Sequence, residues 1–258
     1  MPQADSTQSA DPPAMHLASP GPVLVLGAPA AGKGTQAKAL MAAWNIPQIS
    51  TGDILRAVRN DPAMARTALG MLTRSLMEAG KLIPDERVNE LVAQRLEAAD
   101  TNRGFILDGF PRTLGQAEWL DQHLASTPAD DGKKRLPVVA VNVHVGYNQL
   151  LRRITGRRNC PVCKSIYNVY TNPPLTAEGR CDRDGAVLEQ RADDTEAIFA
   201  ERMRQYEAQT APVIEHYRAL GRFEEMDGEL PVEVVTSRIL VAITRLRGET
   251  NAAAGGRE

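Results

Sequence analysis

The stretch VLVLGAPAAGKGTQ (residues 23–36) passes from an apolar run, through a loop rich in Gly, Ala and Pro, into a segment of helix-forming residues. Strand, loop and helix in that order are the simplest reading. Within it, Gly27-Ala28-Pro29-Ala30-Ala31-Gly32-Lys33 has the G-x-x-x-x-G-K spacing of a phosphate-binding loop, in the setting that motif requires. A tight loop feeding a helix N-terminus aims several backbone N–H groups and the positive end of the helix dipole at one anion, and the Lys33 ammonium completes the neutralisation. The expected ligand is a nucleoside triphosphate. Gly34 stands where a Ser or Thr usually follows the lysine, and the hydroxyl comes one residue later, at Thr35.

Outward from this stretch, GFILDG (104–109) and PVVAVNVHV (137–145) are two further apolar strands, each followed by a helical pattern, and RFEEMDG (222–228) is a weaker fourth. Strands alternating with helices imply an α/β fold, a parallel sheet covered on both faces. Between the first two strands lies a mostly helical insertion, with breaks at Pro62, Gly80 and Pro84. A second insertion, about 156–194, is dense in Gly, Pro and Asn, and Tyr167, Val169 and Tyr170 alternate as in a hairpin. It reads as a small β-rich subdomain. Residues 1–20 and 248–258 read as tails, and 126–137 as a surface loop.

With 43% hydrophobic residues and a formal net charge of −2 in 258 residues, the chain is expected to bury a sizeable core and lacks a global attraction for nucleic acid or anionic membranes. No apolar run approaches the roughly 18 residues of a membrane span, and the N-terminal stretch has no secretory pattern, so a cytoplasmic location is expected. The four histidines are isolated and fit no ligand or triad spacing.

The three cysteines all fall in the second insertion, as C-x2-C-x17-C-x2-D with Cys160, Cys163, Cys181 and Asp184. Two paired ligand turns match a zinc-site template, and four protein ligands would make the site closed and structural. A redox Cys-x-x-Cys is the alternative; it leaves the third cysteine and Asp184 as coincidences. A nucleic-acid-binding ribbon is a weaker one, because Lys164, Arg180 and Arg183 are offset by Glu178, Asp182 and Asp184.

GKGTQ in place of GKST resembles the adenylate kinase branch of the nucleoside monophosphate kinases. ISTGDILR (49–56), AGKLIPDE (79–86), GFILDGFPRT (104–113), ITGRR (154–158) and QRADD (190–194) resemble that family's other motifs, in the family's order, over about residues 22–228. The likeness is to the long-lid bacterial type with a zinc-binding lid. It implies a three-layer parallel-sheet P-loop kinase core (21–49, 84–155, 195–247), a helical AMP-binding subdomain (50–83) and a lid (156–194). It also implies Mg²⁺-dependent transfer of the terminal phosphate of ATP to AMP, giving two ADP, in a monomer.

Carried over by matching positions, the resemblance gives Ala30, Ala31, Gly32, Lys33, Gly34 and Thr35 to the ATP phosphates. Arg157, Ile166 and Tyr167 would close over ATP, with Arg153 against the adenine. Thr51, Arg56, Lys81, Leu82, Ile83, Gly109, Phe110, Pro111, Arg112 and Gln116 would form the AMP site. Arg191 and Arg202 would reach the reacting phosphates, and with Lys33, Arg112 and Arg157 would make up the catalytic set. Asp108 would hold Mg²⁺ through water, and Cys160, Cys163, Cys181 and Asp184 would hold Zn²⁺. Ala30 stands where the family usually has glycine. Two rival readings are a monophosphate kinase with a UMP or CMP acceptor or a GTP donor, and a nucleotide-dependent switch or zinc-ribbon module without transfer activity.

Overall fold

The computed structural model describes residues 20–64, 66–127 and 135–255. The expected N-terminal tail, apart from Pro20, and most of the 126–137 loop lie outside the described residues.

Five strands form a parallel sheet: β1 (Gly21–Leu26), β2 (Gln48–Ser50), β3 (Gly104–Asp108), β4 (Val139–His144) and β7 (Phe223–Asp227), in the order β2-β3-β1-β4-β7. A second, antiparallel pair, β5 (Arg157–Asn159) with β6 (Ile166–Asn168), makes the hairpin of the second insertion. Val169 and Tyr170, expected in that hairpin, lie just past its end. β2 carries no pattern of its own: three residues pair with β3 from Gln48↔Ile106 to Ser50↔Asp108.

The apolar runs are continuous because the central strands are covered on both sides. Val23 and Val25 of β1, Ile106 of β3 and Val139, Val141 and Val143 of β4 face one layer. It is built from α1 (Lys33–Trp44), α6 (Tyr147–Gly156), α7 (Glu196–Gln205) and α9 (Val232–Gly255). The alternate residues, Leu24 and Leu26, Phe105 and Leu107, Val138 and Ala140, face the other. There they meet α4 (Asp85–Leu96), α5 (Leu114–Ser126) and α8 (Ala211–Ala219), with Leu55 of α2 (Thr51–Asn60) and Met77 of α3 (Ala68–Glu78). Period-two alternation in the strands thus produces the three layers.

Helix starts follow local chemistry. Ser50, Thr67, Thr113 and Thr195 each cap a helix, their side-chain oxygens accepting the N–H of the third residue on. The chain leaves α2 at Asp61-Pro62, where proline cannot continue a helix, and Pro84 caps the start of α4, its carbonyl oxygen accepting the N–H groups of Arg87 and Val88. At the far end α9 runs past Gly248 to Gly255, its last turn carried by three alanines, the best helix formers. Arg247 in this helix donates to the carbonyl oxygens of Pro20 at 2.5 Å, Pro22 at 2.6 Å and Pro137, fastening α9 to the entrances of β1 and β4. Its burial pushes the guanidinium down to about 9. No helix among the described residues is long and apolar enough to cross a membrane.

Candidate active site

β1 is the central strand, and the chain leaves it toward one edge of the sheet, through α1 to β2, while β4 lies on its other side. The crevice beyond the carboxyl end of such a strand is where ligands bind in open α/β sheets. Residues 27–32 occupy it, bordering a large cleft that extends to α2, Lys81–Ile83, Gly109–Arg112 and the β5–β6 hairpin.

The loop is shaped by crowding. A Cβ at Gly27 would lie 2.7 Å from the Val143 carbonyl oxygen, and one at Gly34 would lie 3.2 Å from Asp108 Oδ2. Asp108 therefore stands close to the position where the common form of this loop carries a hydroxyl side chain. Ala30 adopts φ 67°, the left-handed region, at a cost for a side-chain-bearing residue of about 1–2 kcal/mol. Lys33 folds back over the loop and donates to the carbonyl oxygens of Gly27 and Ala28, both at 2.9 Å. Burial pushes its ammonium down to about 8; Asp108 opposes this, and Arg112, Arg157 and Arg202 add to it.

Those three arginines come from three separate parts of the chain. Arg112, after β3, is half-buried beside Gly109 and donates from Nε to that residue's carbonyl oxygen at 2.8 Å, while Thr210 Oγ1 donates to the Arg112 carbonyl oxygen at 2.8 Å. Burial lowers Arg112 to about 10, with Arg202 and Arg56 contributing against Asp108. Arg157 makes a two-pronged pair with Asp194, and Arg202 pairs with Asp193. Burial raises the Asp193 carboxyl, but Arg202 and its neighbours more than offset this, and the net direction is down. Arg191 has a neutral partner, Asn159 Oδ1 at 3.2 Å, and burial with the repulsion of Arg157 and Arg56 lowers it to about 10. Arg56 donates to Asp53 at 2.5 Å on the cleft's rim. Lys33, Arg56, Arg112, Arg157, Arg191 and Arg202 thus outnumber Asp53, Asp108, Asp193 and Asp194, and three of the cations are held below their ordinary range. A polyanion is the complement of such a cleft.

The other expected residues fall as follows. Thr51 is buried and donates to the Gly109 carbonyl oxygen at 2.8 Å. Arg153 donates to the carbonyl oxygens of Ala31 at 3.2 Å and Gly228 at 2.9 Å, across the mouth of the loop. Ile166 is 42% exposed at the cleft edge. Tyr167 borders the cleft too, yet its ring is only 7% exposed, packed with Cys160, Cys181 and Leu188, and its hydroxyl accepts the Asp182 N–H at 2.9 Å. Phe110 is fully buried and packs edge-on against Trp119, so its part is to seat the Gly109–Arg112 turn.

A family model described as adenylate kinase matches residues 25–222. A protein named adenylate kinase from Methanocella arvoryzae is 43% identical over 223 residues, 86% of this chain and 98% of its own. Namesakes from Citrifermentans bemidjiense, 46% identical over 86% of this chain and 98% of theirs, and from Fusobacterium nucleatum, 44% over 84% and 95%, are similar to it as well. The chain belongs to the adenylate kinase family.

It is therefore a phosphotransferase, moving the terminal phosphate of ATP to AMP to give two ADP, and members of the adenylate kinase family use Mg²⁺ with ATP. The lid has a core of its own around Cys160, Tyr167, Cys181 and Leu188. One ligand atom from each of Cys160, Cys163, Cys181 and Asp184 lies within 4.8 Å of the others. Both Asp184 oxygens are 3.3 Å from Cys160 Sγ, and Cys163 Sγ is 3.4 Å from Cys181 Sγ, with no disulfide. Backbone N–H groups of Val162 and Cys163 point at Cys160 Sγ, and that of Arg183 at Cys181 Sγ, each at 3.4 Å, as suits thiolates. The donor set and its amides fit a tetrahedral divalent metal.

Sequence reading missed Gln48, which donates to Asp108 Oδ2 at 3.1 Å, as well as Thr210, Asn159 and Asp85. Asp85 lies inside the motif AGKLIPDE, but an acid opening a helix reads as a dipole partner, and nothing local shows its tertiary contact.

Proposed function

We propose that the cleft carries out this transfer with Lys33, Arg112, Arg157, Arg191 and Arg202 as its catalytic cations. The convergence of these groups on one crevice, with Lys33, Arg112 and Arg191 depressed by burial and mutual repulsion, is the observation that carries the reading. Phosphoryl transfer needs no protein base for an acceptor that is already a phosphate; it needs alignment and charge stabilisation. Residues 30–35 hold the ATP phosphates, and Arg153, Arg157, Ile166 and Tyr167 line the donor side. Thr51, Arg56, Lys81, Leu82, Ile83, Gly109, Pro111, Arg112 and Gln116 line the acceptor side, with Phe110 seating the Gly109–Arg112 turn beneath it and Arg191 and Arg202 between. An AMP phosphate oxygen attacks the γ-phosphorus in line, ADP leaves, and the guanidinium forks bind the equatorial oxygens as charge spreads over them. Asp108 would hold Mg²⁺ through water, and the ion would supply further neutralisation of the polyphosphate.

In the same reading, residues 50–83 and 156–194 are the AMP-binding subdomain and lid on a core of 21–49, 84–155 and 195–247. The lid excludes water from the triphosphate. Zn²⁺ on Cys160, Cys163, Cys181 and Asp184 staples its small core and takes no part in the chemistry. The protein works as a cytoplasmic monomer on free nucleotides, without nucleic-acid or membrane partners.

The test is ADP formation by the purified protein with Mg-ATP or Mg-GTP as donor and AMP, UMP, CMP or no acceptor. Rapid ADP formation with ATP and AMP is expected. Preference for a pyrimidine acceptor would move the assignments of Thr51 and Gln116, and nucleotide binding without transfer would overturn the catalytic reading.

A further inference from the structure

Gln116 sits on the first turn of α5, bordering the cleft at 2% exposure, and both ends of its amide are engaged. Its Oε1 accepts the backbone N–H of Arg112 at 2.7 Å. Its Nε2 donates to Asp85 Oδ1 at 2.7 Å. The second oxygen of Asp85 accepts from Thr113 Oγ1 at 2.5 Å, and that hydroxyl oxygen accepts the Gln116 backbone N–H at 3.1 Å. Every link has a forced direction. A backbone N–H can only donate, and an ionised carboxylate can only accept. Turning the Gln116 amide over would set two donors against each other at Arg112 and two acceptors against each other at Asp85.

The free valences are therefore also directed: Oε1 keeps one lone pair and Nε2 one N–H. Side by side, they complement a ring edge with an exocyclic amine beside a bare ring nitrogen, as in a 6-aminopurine. A 6-oxopurine presents the reverse, a carbonyl oxygen beside a ring N–H. A glutamine free to turn would serve either base. We infer that Asp85 is a specificity-determining positioning residue, which locks the Gln116 amide so that the acceptor site takes 6-aminopurine and rejects 6-oxopurine monophosphates. The inference rests on the reading of Gln116 as part of the acceptor site. Asp85 opens α4 directly after Ile83 and Pro84, so the lock also joins the root of the helical insertion to α5.

The experiment compares kcat/KM for AMP and for inosine monophosphate, with Mg-ATP as donor, in wild type, Asp85→Ala, Asp85→Asn and Gln116→Leu. In Asp85→Ala the AMP-to-IMP ratio should fall by about tenfold or more, the scale of one lost directional hydrogen bond, while the KM for ATP stays within about twofold. Asp85→Asn should keep most of the ratio, because its oxygen still accepts from Nε2. A purely structural role would not divide acceptor selectivity from donor affinity in this way. An unchanged ratio in Asp85→Ala, with a lowered one in Gln116→Leu, overturns the lock and leaves the acceptor-site reading standing. An unchanged ratio in Gln116→Leu removes Gln116 from base recognition and the inference with it. Should Asp85→Ala fail to fold, the side-chain amide resonance of Gln116 in the wild-type protein decides. One proton shifted downfield and protected from exchange is expected; both at ordinary positions and unprotected would overturn the lock.

Discussion

Arg157 at the root of the lid and Asp194 at its exit form a two-pronged ion pair, with Nε donating to one carboxylate oxygen at 2.7 Å and a terminal nitrogen to the other. Asp194 is completely buried and Arg157 is 18% exposed, so the two strands of chain that carry the lid are joined by a charge pair facing the cleft. Gln190 Nε2 adds a bond to the Asp194 carbonyl oxygen at 3.0 Å.

Removing the carboxylate leaves Arg157 without its partner in a cleft already crowded with cations. Asp194→Ala should cost about 3 kcal/mol, the low end for breaking a buried pair because the arginine keeps some contact with water. Thermal unfolding should show a loss of about 6–12 °C. A melting temperature within a degree of wild type would contradict this account of the lid root.

Arg112 already spends Nε on the Gly109 carbonyl oxygen, which leaves its terminal nitrogens for phosphate. Lysine cannot make both contacts from a single ammonium. Arg112→Lys should lower kcat on the order of 100-fold, with a smaller change in KM for ATP. Steady-state kinetics that show normal turnover would remove Arg112 from the catalytic set.

Lys33 near 8 in the ligand-free protein implies two opposite responses to pH. Above 8 and up to its ordinary 10.5, the unfolded chain holds the proton more firmly than the folded one, so this group makes folding more favourable as pH rises. A bound triphosphate favours the charged form, so binding takes up a proton in the same window and affinity weakens as pH rises through 8. Titration calorimetry in buffers of different ionisation heat should find uptake approaching one proton at pH 9. Release of protons, or no uptake at that pH, would refute the assignment.

Ala30 holds a left-handed backbone at φ 67°. Ala30→Gly relieves about 1–2 kcal/mol of strain and gives back about 0.4–1 kcal/mol in unfolded-chain entropy, for a net gain of up to about 1.6 kcal/mol. Thermal denaturation should register a rise of a few degrees, and a fall would show that the alanine methyl contributes packing that outweighs its strain.

Cys163→Ser should lower thermal stability and abolish zinc uptake, measured by elemental analysis as one metal per wild-type chain, while leaving residual transfer activity at low temperature. Equal stability of the two proteins, with zinc in neither, would sink the staple.

The sequence alone determined what depends on neighbours along the chain. The phosphate loop, the apolar runs of β1, β3 and β4, the breaks at Pro62 and Pro84 and the Cys160–Asp184 spacing are local patterns set by dihedral preference, periodicity and ligand geometry. Only the tertiary structure decided the rest. β2 exists because β3 lies beside it, Ala30 is left-handed because the loop must turn there, and Tyr167 turns into the lid core. The pairing of Arg157 with Asp194 spans 37 residues and that of Gln116 with Asp85 spans 31. Such bonds leave no periodic trace, because an acid, an amide or an arginine on a helix has the same local pattern whether it faces water or a partner. Their direction and energy come from burial and from which groups the fold brings together, and these are properties of the packed chain.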